Sequence, residues 1–118
     1  MTAPPPGRTR GTLTEIIGFA EELRLYVTTA GAQNLYDDRR TQLIAEALLH
    51  RIGEAVSRLP DDLTSAHPEV EWRKIEGMRN VVAHQYGFID YRIVWRALDQ
   101  SLPNDVESIK QILADLKE

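Results

Sequence analysis

The sequence predicts an all-α protein, an antiparallel bundle of four to five helices. Three observations lead there. Apolar residues recur at spacings of three and four through successive segments, no segment alternates apolar and polar residues as a strand would, and glycine or proline falls between the apolar stretches. At 118 residues the chain is one domain, long enough to bury about two-thirds of its unfolded surface. With 42% hydrophobic and 27% charged residues it is globular rather than disordered. No apolar run approaches the ~20 residues of a membrane span. Cysteine is absent, which removes disulfides and thiolate metal sites and suits a reducing cytoplasm.

Residues 1–11 carry three consecutive prolines and two arginines and are expected to form a flexible arm, leaving 12–118 as the folded domain. Thr12-Leu13-Thr14-Glu15 has the form of a capping box. The helix it opens carries Leu13, Ile16, Ile17, Ala20, Leu23 and Val27 and stops near Thr28 to Gly31. Asp37-Asp38 begins a second long helix, negative charge being favourable at a helix N-terminus. Its apolar positions are Leu43, Ile44, Ala47, Leu48, Ile52, Ala55, Val56 and Leu59, and Pro60 ends it. Residues 61–69 read as a polar loop.

A third helix follows, with Trp72, Ile75, Met78 and Val82 as its stripe. After Gly87, Asp90 is placed to cap a short helix through Leu98, in which Trp95 reads as core rather than as a base-stacking platform. Pro103-Asn104-Asp105 starts the last helix, with Val106, Ile109, Ile112, Leu113 and Leu116 as its buried side.

The third helix carries the chemistry-bearing stretch, Met78-Arg79-Asn80-Val81-Val82-Ala83-His84-Gln85-Tyr86. At about 100° per residue Arg73, Gly77, Asn80 and His84 share one face, opposite Ile75, Met78 and Val82. Gly77 is costly inside a helix by about 1 kcal/mol, so it is either an irregularity or a point where another backbone or a ligand comes close. Arg79 lies about 140° from His84 on the wheel. The arginine reaches round, or the helix loosens before Gly87, or a second copy of the chain supplies the partner. The last solves the geometry most simply, and it predicts a two-fold homodimer with the motif helices flanking a groove.

The net charge of −4 argues against a protein coated with phosphate-binding cations, but its distribution is uneven. Residues 71–96 hold five cations (Arg73, Lys74, Arg79, Arg92, Arg96) against three acids, a net +2 that leaves −6 for the remainder. Such an island can attract RNA at one surface, with Arg73 and Lys74 as contact candidates. The three histidines have no paired carboxylate or thiol spacing of a zinc site, so no metal and no cofactor is expected.

Arg79, His84 and Tyr86 match R-x4-H-x-Y, and here the chain resembles the HepT-like branch of the HEPN proteins, small all-helical ribonuclease toxins. The likeness extends over residues 12–118. Ile52-Gly53-Glu54-Ala55 is similar to that family's IGEA segment, residues 68–79 (PEVEWRKIEGMR) to its approach to the motif, and Asp90, Val94-Trp95 and Leu102-Pro103 to its tail. The resemblance implies that Arg79 and His84 are the catalytic pair of a metal-independent endoribonuclease. The polar residue after the arginine, Asn80, would assist by orienting His84, contacting ribose or bonding locally. Glu54 lies beside the stripe of its helix, either as a flank carboxylate or as a partner of Arg79 or His84.

The resemblance also implies a toxin-antitoxin pairing in which a minimal nucleotidyltransferase transfers AMP onto Tyr86. The alternative within the same resemblance is a non-catalytic helical module that docks a nucleotidyltransferase or its substrate.

Overall fold

The computed structural model describes residues 7–83 and 90–117, with the backbone alone for 79–83. Every regular element among these residues is helical: α1 (Arg8–Ala30), α2 (Ala32–Asp37), α3 (Arg39–Ser57), α4 (Asp61–Ala66), α5 (Trp72–Ala83), α6 (Tyr91–Arg96), a π-helical turn (Ala97–Ser101) and α7 (Leu102–Asp115). The fold is thus the expected all-α bundle, built on α1, α3, α5 and α7. Arg58 at the end of α3 pairs with Glu15 near the start of α1 at 2.7 Å. Arg10 in the first turn of α1 donates to the carbonyl of Leu116 beyond the end of α7 at 2.9 Å. Both contacts join opposite ends, so α1 runs antiparallel to α3 and to α7.

Helix α1 begins four residues before the anticipated Thr12. The threonines that resembled a capping box turn their hydroxyls backwards, Thr12 to the carbonyl of Arg8 and Thr14 to that of Arg10. This one-turn-back bond is the other local option open to a threonine. Residues 8–11, assigned to the arm, therefore form the first turn of α1, with Thr9 buried. The far end falls where it was expected. Gly31 has φ +91°, a backbone that a β-carbon disfavours, and its N–H closes on the Val27 carbonyl.

Asp38 rather than Asp37 starts α3. Its carboxylate accepts from the Thr41 hydroxyl at 2.7 Å and the Thr41 N–H at 2.9 Å, and these two bonds hold it below the usual carboxylate range. Asp37 instead ends α2, a helix the periodicity does not reveal.

The buried side of α3 is Ala45, Leu48, Leu49, Ile52, Ala55 and Val56, continued by Leu59. Leu43, Ile44 and Ala47, expected in that stripe, are exposed. The start of α3 is apolar on two sides, and only one of them meets the other helices.

Residues 61–66 form α4 where a loop was expected; it buries no side chain, so it leaves no apolar period to read. Asp90 caps α6 as anticipated, accepting from the Arg92 N–H at 3.0 Å, and Trp95 packs against the core. The last helix does not restart at Pro103. The chain stays helical from Tyr91 to Asp115, with the π turn ending two residues before the proline. A proline ring collides with the carbonyl four residues back and lacks an N–H; the wider π turn gives room for both.

The core joins Leu13, Ile16, Leu23, Leu35, Ile52, Ile75, Leu98, Leu102 and Ile109, all essentially inaccessible to solvent. Ile52→Ala, which removes methyl groups from α3 in this core, is expected to lower the unfolding free energy by about 2–5 kcal/mol. The midpoint and slope of a urea titration would measure it.

Candidate functional site

Helix α5, on which the motif begins at Arg79, and α3 pack together more extensively than any other two helices among the described residues. Trp72 and Ile75 are its anchors, 8% and 1% exposed, and Met78 is half-buried against the same core. The Trp72 indole N–H also donates to the His67 carbonyl at 2.9 Å, fixing the start of the helix. The backbone of Arg79 and Asn80 belongs to α5, and their side chains lie outside the described residues. His84 and Tyr86, which follow Ala83, lie outside them as well, as does the Val82 side chain.

Glu54 is half-buried on α3. It lines a groove of about 840 Å³ between α1 and α3, together with Phe19, Glu46, His50, Arg51 and Arg58. The groove is bridged at two points. Arg58 pairs with Glu15, and the Arg51 guanidinium lies 5.9 Å from the centre of the Phe19 ring.

Arg73 and Lys74 stand exposed on the first turn of α5. Lys74 meets Glu71 at 2.9 Å, and that carboxylate raises its pKa. Its charge is partly countered at the surface by that carboxylate.

Gly77 does not admit a neighbour within the chain: a β-carbon there would meet nothing within 4 Å among the described residues. It instead borders a second concavity of about 430 Å³ between α5, α6 and α7, with Ile75, Met78, Ile93, Arg96 and Asp105 around it. Ile93 is 64% exposed at this surface. Asp105 is buried, and burial raises its carboxyl above the usual range despite a weak contact with the Glu71 N–H at 3.4 Å.

One polar cluster was not anticipated. Glu46 of α3 is 6% exposed; its carboxylate accepts from the Tyr91 phenol at the start of α6 and from Arg39 Nη1 at 3.0 Å. Arg39 Nη1 also donates to the Tyr91 oxygen at 3.3 Å, closing a triangle. The sequence did hold one sign of it, a glutamate set among the apolar residues of α3.

No group of three metal-ligating side chains occurs among the described residues, and no helix there is long and apolar enough to cross a membrane. His50 is exposed along the α1–α3 groove, and His67 Nδ1 sits 3.2 Å from Glu69.

Comparison with known proteins gives a consistent picture. The family model described as "Ribonuclease HepT-like" matches residues 16–112, from the first turns of α1 to the last turn of α7. A Methanocaldococcus jannaschii protein named "Putative RNase MJ0127" is 28% identical over 113 residues, 96% of this chain and 93% of its own length. A Thermococcus cleftensis protein named "Probable ribonuclease HepT" is 34% identical over 67 residues, 57% of this chain and 61% of its own. A Caldanaerobacter subterraneus protein named "Putative RNase TTE0752" is 38% identical over 65 residues, 55% of this chain and 58% of its own. No solved structure gives a significant match. With the family match covering most of the helical bundle and including Arg79 to Tyr86, the chain belongs to the HepT-like ribonuclease family.

Proposed function

We propose that this protein is a metal-independent endoribonuclease that cleaves RNA in single strands or loops, as the toxin of a cytoplasmic toxin-antitoxin pair. The observation that carries the reading is the intact R-x4-H-x-Y of the sequence, which begins at Arg79 on the helix most firmly packed on α3 in a chain that matches the HepT-like family. In this reading the His84 imidazole takes the proton of a ribose 2′-hydroxyl, whose oxygen attacks the adjacent phosphorus while the 5′-oxygen departs. The Arg79 guanidinium holds the phosphate oxygens as charge develops on them. Asn80 and Glu54 orient this pair, and Arg73 and Lys74 extend the cationic track along α5.

A single histidine serves poorly as both base and acid in one step. A two-fold homodimer supplies two His84 and two Arg79 along one groove. Among the described residues nothing fills the space beside Gly77 and Ile93 is exposed, which supports that side of α5 as the place where a second molecule would meet it. Gly77→Leu, which fills this space, is expected to weaken self-association and RNA cleavage together, with light scattering at micromolar protein reporting the first. A strict monomer in the unsubstituted protein would remove the dimeric site from the proposal.

The deciding experiment incubates purified protein with total RNA and defined tRNAs, with and without a chelator. Cleavage that persists in chelator and disappears in His84→Ala supports the proposal. If the protein instead cleaves nothing, is harmless when expressed alone, and binds a nucleotidyltransferase tightly, the non-catalytic docking module is the correct reading.

A further inference from the structure

We propose that Glu46, Tyr91 and Arg39 form a clamp that sets the position of the R-x4-H-x-Y residues against α3, making all three positioning residues for cleavage. The inference rests on the ribonuclease reading for its chemistry and on the described geometry for its mechanics. The described part of α5 runs to Ala83 and α6 begins at Tyr91, and His84 and Tyr86 fall between them in the sequence. On the near side of this stretch α5 is packed along α3. On the far side, the first residue of α6 is bonded to α3 through Glu46. Both flanks of the motif are therefore referred to one helix.

The clamp's chemistry suits a locating role better than simple adhesion. A carboxylate with only 8% of its side chain exposed is costly to bury, whereas an apolar residue at the same place would hold α6 to α3 without that cost. The triangle adds direction. Tyr91 donates to Glu46, while Arg39 donates to both, so each partner is fixed by the other two. Burial first, and then the bond to Glu46, raise the phenol pKa, so Tyr91 remains a donor across the range in which a histidine titrates. Arg39, with 58% of its side chain exposed, closes the cluster on its solvent side.

The test compares Tyr91→Phe, Glu46→Leu and the conservative Glu46→Gln, which retains an oxygen acceptor for the phenol. Two readouts are taken: kcat and KM on a defined RNA, and amide hydrogen exchange along the whole chain. Tyr91→Phe and Glu46→Leu are expected to lower kcat about 10-fold or more with KM nearly unchanged. They should also speed exchange in peptides covering residues 79–91 while α1 and α7 exchange as before. Glu46→Gln is expected to restore most of both.

Unchanged kcat in an enzyme that does cleave RNA overturns the positioning role, as does exchange that rises evenly through the bundle. If no variant and no unsubstituted protein cleaves RNA, the ribonuclease reading fails. The exchange pattern then decides the clamp by itself: a local increase supports it, and an unchanged or global pattern overturns it.

Discussion

His84→Ala is expected to leave the bundle folded and to lower RNA cleavage by about 10³-fold, on the order of 4 kcal/mol of transition-state stabilisation. Arg79→Ala is expected to cost about 10²- to 10³-fold, the scale of losing a donor aimed at developing negative charge. Among the described residues, α5 is anchored in the core by Trp72 and Ile75, which both substitutions leave in place. The melting temperature should therefore stay within a few degrees. Arg79→Lys separates charge from shape, since lysine keeps the positive charge and loses the planar two-pronged donor. A partial loss, between those of unsubstituted protein and Arg79→Ala, is the expected outcome. Undiminished cleavage by purified His84→Ala would remove the histidine from the chemistry.

Tyr86 carries the second large effect. With a cognate nucleotidyltransferase, ATP and Mg²⁺, transfer of AMP to the Tyr86 hydroxyl is expected to silence the enzyme nearly completely. The added phosphodiester is an anion placed two residues from His84, where it would compete with RNA for Arg79, and the adenosine would occupy the substrate's path. Tyr86→Phe is expected to retain ribonuclease activity and to escape the antitoxin. Intact-mass spectrometry decides it: AMP adducts that survive in Tyr86→Phe put the modification on another residue.

The parts of the fold legible in the sequence are those in which a face repeats. Helices α1, α3, α5 and α7 are long enough for an apolar stripe to declare itself, and Gly31 and Asp90 mark ends because each residue type has a definite backbone or capping preference. Helices α2 and α4, of six residues each, are too short to show a period. Thr12 and Thr14 misled because a threonine hydroxyl bonds forwards at a cap or backwards inside a helix, and the local sequence is the same for both. Leu43 and Ile44 misled for a different reason, since a stripe says which side of a helix is apolar but not which neighbour covers it.

At the site, the motif residues were legible as a pattern, and Glu54 was found on the helix against which α5 packs. The Glu46, Tyr91 and Arg39 cluster was not, because Tyr91 is separated from Glu46 and Arg39 by 45 and 52 positions and nothing local joins it to them. Gly77 shows the opposite failure. Its presence in a helix was noticed, but the sequence could not say whether the space beside it is filled from within the chain or left open.

The π turn at Ala97–Ser101 acts as a phase shifter between the two halves of the C-terminal helix. One residue more or fewer in a helix rotates everything beyond it by about 100°. Leu98 within the turn and Leu102, Val106 and Ile109 beyond it are buried in the same core, at spacings of four, four and three that fit one helical face. Deleting Gln100 would let the backbone close into an unbroken α-helix with more regular bonding, and because a π turn holds one residue more than an α turn, Val106 and Ile109 would keep nearly their present side toward the core. The same deletion farther along α7, where no widened turn takes up the change, would rotate everything beyond it by about 100° away from the core, so the solvent-facing turn at Asp99 and Gln100 is where this helix tolerates a change of length.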